Sequence, residues 1–316
     1  MNTTPGSAGL EPANDLRGLW VPVITPLDAN QNVDIESLRG LVRRILADGA
    51  RGIVALGTTG EPATLSAVEQ QMVVEVVAEE CSEVAAGLIV GAGTNSTRTT
   101  ISALQSLDHV PGVSAALVVV PYYTRPSTAS IVAHFQTVAD ESPVPIVAYN
   151  VPYRTGRGLA ARDLLQIAES PKVIGLKQAV GCLDADTLEV LRSAPPRFQV
   201  LAGDDAFIVP TILLGGTGSI TAAAHLHTPL FVEMVTAALR GQALQSRALA
   251  ERLLPVVTAG FAEPNPSVWK AALCRLGEIV TPALRAPMGE ATAAATDNVM
   301  KAICDAKQFA PSNSAP

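Results

Sequence analysis

PKVIGLKQAVG, residues 171–181, decides how the rest of the chain is read. Val173, Ile174 and Leu176 make a short apolar run, bounded by the Ser170-Pro171 break before it and Gly181 after it. A run that is apolar on both faces marks a strand buried in a parallel sheet. Lys177 sits inside that run, where an ammonium ion is costly unless it is paired or gives up its proton. Two readings compete. Lys177 is either a strand-end lysine that reaches solvent or an acidic partner, as lysines ordinarily do, or a desolvated amine that attacks a carbonyl carbon and forms a Schiff base.

Outward from this stretch, strand-like and helix-like segments alternate along the chain. The strands are read at Leu19–Thr25, Gly52–Gly57, Leu88–Gly91, Ala115–Pro121, Pro145–Asn150, Lys172–Ala179, Gln199–Ala202 and Gly218–Ala222. The helices between them are read at Asp34–Ala47, Ser66–Cys81, Ser96–Asp108, Thr128–Asp140, Ala160–Glu169, Asp184–Ser193, Asp205–Leu214 and Pro229–Arg240. Ser66 and Glu69 have the spacing of a capping box. Eight such units predict an α/β fold, a (β/α)₈ TIM barrel over residues 17–240. A doubly wound open sheet would carry a glycine-rich phosphate turn after its first strand; TPLDANQN has none. Residues 241–305 read as a C-terminal helical extension of two or three helices, broken by EPNPS at Glu263–Ser267. Residues 1–16 and 306–316, rich in Pro, Ser, Asn and Gly or Ala, are expected to be a disordered arm and tail.

Composition narrows the function classes. Hydrophobic residues make up 48% of the 316, charged ones 16% and aromatics only 4%, which supplies an aliphatic core and argues against base stacking on nucleic acid. A net charge of −7 gives no basic footprint for nucleic acid or an anionic membrane. Cys81, Cys182, Cys274 and Cys304 are far apart and unpaired in pattern, and read as the reduced, mostly buried thiols of a cytoplasmic protein. The N-terminus lacks the pattern of a signal peptide, and no apolar run reaches membrane-spanning length.

Active sites of such barrels are built at the C-terminal ends of the strands. GTTG at residues 57–60 offers the hydroxyls of Thr58 and Thr59 and free N–H groups, a cradle for a small carboxylate or simply a capped turn. Tyr123, Tyr149 and Arg154 follow the fourth and fifth strands. Tyr149 reads either as a proton carrier near Lys177 or as a core aromatic with a satisfied hydroxyl, and Arg154 either as a clamp for a second carboxylate or as half of a surface ion pair. Gly203 and Ile220 stand at the seventh and eighth strands, and Asp205 reads as the cap of the following helix. His225 and His227 are two apart without a third ligand in view, so no metal is expected. An amine, a phenol, hydroxyls and carboxylate receptors together fit Schiff-base chemistry on a 2-keto acid.

GTTGEPATLS, VVVPYYTRPS, YNVPYRTG, VIGLKQAVG, AGDD and GGTGSIT, in this order and spacing, resemble the pyruvate-dependent class I aldolases typified by dihydrodipicolinate synthase and N-acetylneuraminate lyase. The similarity runs from about Gly18 to Ile303, and YNVPxRTG with its arginine is similar to the synthase pattern. The resemblance implies that Lys177 forms the imine with pyruvate without a cofactor, and that Tyr149 and Thr58 relay protons with a Tyr123 that crosses a dimer interface. It further implies that Thr59 binds the pyruvate carboxylate, that Arg154 meets the aldehyde, and that Gly203 and Ile220 give backbone contacts. A homotetramer built from dimers is implied as well. Rival readings are a related aldolase or dehydratase acting on a 2-keto-3-deoxy sugar acid, and a non-catalytic keto-acid binding protein.

Three positions depart from the usual synthase pattern: Gln178 in place of an acid, Tyr153 in place of a small residue and His225 in place of Asn. Each is expected to bear on which aldehyde is accepted. In lysine-inhibited members the effector's ammonium is held by a glutamate in the helix after the third strand, with histidines and an asparagine nearby. Here Asn95 matches the asparagine, but Thr99 stands for the glutamate, Ala67 and Gln70 for the histidines, and Pro62 for a small polar residue. Weak or absent inhibition by L-lysine is therefore expected, unless Glu69 or Glu75 compensates.

Overall fold

The computed structural model describes residues 15–308 of the chain. Eight parallel strands close into a barrel: β1 (Gly18–Pro22), β2 (Gly52–Ala55), β3 (Gly87–Gly91), β4 (Val113–Val119), β5 (Ile146–Asn150), β6 (Val173–Gln178), β7 (Gln199–Ala202) and β8 (Gly218–Ile220). Each pairs with its sequence neighbours, and β1 closes on β8. Between and after the strands run α1 (Ile35–Ala47), α2 (Ala67–Glu83), α3 (Thr97–Gln105), α4 (Thr128–Glu141), α5 (Pro152–Thr155), α6 (Ala161–Ile167), α7 (Ala185–Ser193), α8 (Ile208–Leu213) and α9 (Thr228–Leu239). The extension is α10 (Ala243–Gly260), α11 (Ser267–Arg275) and α12 (Ala293–Gln308). The fold is the (β/α)₈ barrel that the alternating pattern predicts.

The two-residue period of the strands divides their side chains between two cores. Trp20, Val54, Ile89, Leu117, Val147, Ile174 and Leu201 fill the barrel interior. Val21, Ile53, Leu88, Val118, Leu176 and Val200 face outward under the helices. Helix starts follow local capping: Asp34, Ser66, Ser96, Ser127 and Asp184 each accept an N–H from the first turn of the helix they open. The capping box at Ser66 and Glu69 is formed in both directions.

Several boundaries differ from the sequence reading. β1 stops at Pro22, which has no N–H to extend the ladder. The segment after β7 is a single 3₁₀ turn, Asp205–Phe207, followed by the short α8. The expected arm lies outside the described residues as far as 14, but Leu16 does not behave as part of one. It is fully buried in the barrel-interior cluster. Its N–H donates to Gln199 Oε1 at 2.8 Å, and its carbonyl accepts Trp20 Nε1–H at 2.8 Å. Leu16 thus closes the N-terminal end of the barrel. At the other terminus α12 continues through the first residues of the expected tail, because Ala306 is buried and its carbonyl accepts Arg252 Nε–H. Residues 309–316 lie outside the described residues.

Candidate active site

Strict alternation from Ile174, which points into the barrel, would turn Lys177 outward toward the helices. A bulge prevents this. Ile146 pairs with Val173, but the next residue, Val147, pairs with Gly175, so β6 carries one extra residue. The extra residue shifts the parity of the strand and re-aims everything after it. Leu176 and Gln178 then face the helices, while Lys177 and Ala179 face inward. Gly175 is what lets the strand sit this way: a Cβ there would lie 2.6 Å from the Gln199 carbonyl oxygen and 3.2 Å from Leu16 Cδ1.

Lys177 lies at the floor of a cavity of about 300 Å³ at the C-terminal ends of the strands. Thr58, Thr59, Tyr149, Arg154, Gly203 and Ile220 share its lining, so the structure gathers every sequence-predicted site residue except Tyr123. Gly203 makes room for the lysine stem, since a Cβ there would come within 3.0 Å of Lys177 Cγ. Tyr123 is 87% exposed on the loop after β4, in a left-handed backbone conformation (φ 69°), and does not line this cavity.

Burial sets the proton affinities in the site. It pushes the Lys177 ammonium down to about 8, against the opposing pull of Asp205 and Asp204. The Tyr149 phenol is pushed up to about 12 by the same desolvation, although Arg154 and the hydrogen bond with Thr58 hold it down in part. Asp205 is driven up to about 7 by burial. Its carboxylate does not cap a helix as the sequence suggests; Oδ2 accepts the Ala223 N–H at 2.7 Å and ties the loop after β7 to the end of β8. Asp204 Oδ2 accepts the Gly181 N–H at 2.7 Å. The amine thus gives up its proton far closer to neutral pH than an ordinary lysine does, while the phenol keeps its own.

The C-terminal extension completes the cavity wall. Val257, Thr258 and Phe261 line it, as does Asn265 from the EPNPS break. Asn265 Nδ2–H donates to Thr59 Oγ1 at 3.0 Å, and its Oδ1 is buried without a partner among the described residues. Glu61, two residues beyond Thr59, is buried against Lys270 Nζ of α11 at 2.5 Å, and that ammonium also donates to the Ala283 carbonyl. The Thr58-Thr59 turn is therefore fixed from outside the barrel. Sequence reasoning missed Asn265 because nothing in a loop asparagine shows which strand end it will meet. The proline-rich break that makes α10 and α11 separate was its only signal.

A sequence profile of the dihydrodipicolinate synthetase family matches residues 15–306. The chain belongs to that family. Among its relatives, the 4-hydroxy-tetrahydrodipicolinate synthase of Neisseria meningitidis serogroup B is 38% identical over 273 residues, 86% of this chain and 92% of that protein. The chloride-inhibited dihydrodipicolinate synthase of Acinetobacter baumannii, solved in complex with pyruvate, superposes with a TM-score of 0.89 at 30% identity, covering 93% of this chain and 100% of that one. The DHDPS of Cyanidioschyzon merolae, solved with lysine bound, gives 0.89 at 31% identity over 94% and 100%.

Against this dihydrodipicolinate synthetase framework, two of the three departures prove remote from the cavity. Gln178 faces the helices, where Oε1 accepts Asn150 Nδ2–H at 3.0 Å and Nε2–H donates to Thr187 Oγ1 at 2.9 Å. His225 accepts the Ile24 N–H on Nε2 at 3.1 Å and donates from Nδ1 to the Ala222 carbonyl at 2.8 Å. It bridges the ends of β1 and β8 as a neutral ring, burial pushing it down to about 4. His227 Nε2–H donates to the Ile303 carbonyl instead of joining it. Only Tyr153 reaches the cavity. Among the described residues no group of three or more His, Cys, Asp or Glu side chains is arranged to hold a metal ion.

Proposed function

We propose that the protein condenses pyruvate with L-aspartate 4-semialdehyde to give 4-hydroxy-tetrahydrodipicolinate, the committed reaction of a lysine and diaminopimelate pathway, through a Schiff base on Lys177. The observation that carries this reading is a buried amine of lowered proton affinity, set between a hydroxyl-lined turn and an arginine in one small cavity. The free amine of Lys177 adds to the pyruvate carbonyl carbon, and water leaves as the imine forms. Thr59 and the N–H groups of its turn hold the pyruvate carboxylate. The protonated imine is the electron sink that lets a methyl proton depart, so no cofactor is needed. The enamine then attacks the aldehyde carbon, and Tyr149, linked to Thr58, delivers the proton that the new hydroxyl takes up. Arg154 holds the carboxylate of the aldehyde, and Asn265 Oδ1 offers an acceptor to its donor groups. Ring closure by the substrate amine on the imine carbon expels Lys177.

Tyr123 acts in a neighbouring copy's site in this reading, within a homotetramer of two dimers, which its exposure on a left-handed turn supports. The cysteines are unpaired, in keeping with a cytoplasmic enzyme, but they are not mostly buried as expected: Cys81 alone of the four is, and Cys182 and Cys304 are exposed on the surface. The test is turnover of pyruvate with a panel of aldehydes. Aspartate semialdehyde is expected to be the best substrate, and Arg154→Ala to raise its KM by roughly tenfold or more, the loss of a charge-assisted pair, with little change for pyruvate. Faster turnover of a neutral sugar aldehyde would show that the site serves another aldolase reaction.

A further inference from the structure

We infer that Tyr153 is a positioning residue for Arg154, one that fixes which edge of the guanidinium meets the substrate and so favours a short aldehyde ending in a carboxylate. This rests on the reaction proposed above. Arg154 stands in α5, a four-residue helix with Pro152 in its first turn and a left-handed Gly156 (φ 71°) just past its end. Its Nε–H donates to the Tyr153 hydroxyl at 2.9 Å, and its guanidinium carbon lies 4.9 Å from the centroid of the Tyr153 ring. Both side chains line the cavity. The Nη1 and Nη2 groups of Arg154 donate to none of the described residues.

A guanidinium can grip a carboxylate through its Nε/Nη side or through its Nη1/Nη2 end. Tyr153 occupies the side edge and leaves the end edge to the ligand. It also holds a long side chain, which would otherwise sample many rotamers at the mouth, in one pose before substrate arrives. The carboxylate must then reach the tip of Arg154 while its aldehyde carbon reaches the pyruvyl group on Lys177, and both residues line the same cavity. That restricts the length of the acceptor. Tyr153 itself is 68% exposed, so its replacement leaves the core untouched.

Tyr153→Phe keeps the ring beneath the guanidinium and loses the hydroxyl; Tyr153→Ser loses both. KM for aspartate semialdehyde and for pyruvate, with kcat, is measured for the unmutated protein and both variants. The expected result is a rise in aldehyde KM of about threefold to tenfold in Tyr153→Phe and a larger one in Tyr153→Ser, as loss of one hydrogen bond and then of the stacking predicts. Pyruvate KM and the fraction of Lys177 trapped by borohydride with pyruvate stay unchanged. Equal aldehyde KM in all three proteins overturns the inference while the proposed reaction stands, and so does a parallel rise in pyruvate KM, the mark of a merely structural role. No turnover of aspartate semialdehyde by the unmutated protein removes the proposed reaction and this inference with it.

Discussion

Lys177 Nζ stands 4.4 Å from the centroid of the Tyr149 ring, and the two residues are register partners across β5 and β6. Their proton affinities are driven in opposite directions by the same burial, the amine down to about 8 and the phenol up to about 12. The amine can lose its proton at a pH where the phenol keeps its own. In the proposed reaction that lets the pair serve as nucleophile and proton donor side by side.

The first prediction concerns pH. In the proposed mechanism only the unprotonated amine attacks, so kcat/KM for pyruvate is expected to rise with pH while Lys177 loses its proton and to level off above about 8. Asp205, raised to about 7, gains its charge just below that range and favours the ammonium, which broadens the curve without reversing it. Initial rates across the neutral and alkaline range at fixed aldehyde check this. A half-maximum near 10.5, the ordinary lysine value, would mean that burial does not tune the amine.

Leu16 provides a second prediction. It is fully buried, and its backbone is bonded to Gln199 and Trp20. Leu16→Ala leaves a cavity at the closed end of the barrel and is expected to lower stability by about 2–5 kcal/mol, with pyruvate KM little changed because the site is at the opposite end. Chemical denaturation of the two proteins measures the difference; equal midpoints would show that the barrel does not depend on this plug.

How much of this was legible in the sequence follows from which physics each feature depends on. The order of strands and helices rests on local periodicity and capping and was readable along the barrel, but the short α5 and the single turn that opens the segment after β7 were not. The gathering of Thr58, Thr59, Tyr149, Arg154, Gly203 and Ile220 around Lys177 was readable too, because a barrel brings strand ends together whatever the loops do. The inward aim of Lys177 was not, since strict alternation from Ile174 points it the wrong way and only the bulge at Gly175 corrects it. Leu16 and Asn265 depend on contacts between segments far apart in the chain, and the outward turn of Gln178 on the same bulge that re-aims Lys177. Periodicity carries no signal for these.

A third prediction is weak inhibition by L-lysine. An effector ammonium buried without a carboxylate partner loses its charge-assisted bonds and keeps its desolvation cost. The position that the resemblance assigns to the partnering glutamate is Thr99, whose hydroxyl donates to Ser96 Oγ at 3.1 Å. Glu69 cannot stand in: Arg285 and the Ser66 cap hold its carboxyl down to about 2 and occupy its oxygens. Gln70 is spent on the carbonyls of Pro62 and Leu65. Glu75 accepts Gln71 Nε2–H at 2.8 Å on the groove between α2 and α3, and of the two acids it is the one free to compensate. Initial rates against added L-lysine at fixed substrates decide the matter. Half-inhibition below the millimolar range would mean that Glu75 or another acid rebuilds the effector site.

The central claim is that Lys177 carries the substrate. The direct measurement is incubation of the protein with pyruvate and sodium borohydride, followed by digestion and mass spectrometry of the peptide that contains residues 173–178. A reduced pyruvyl adduct on Lys177 is expected, with loss of activity in proportion to its formation and no adduct or activity in Lys177→Ala. Full retention of activity with Lys177 unmodified, or an adduct on another lysine that tracks the loss of activity, would contradict it.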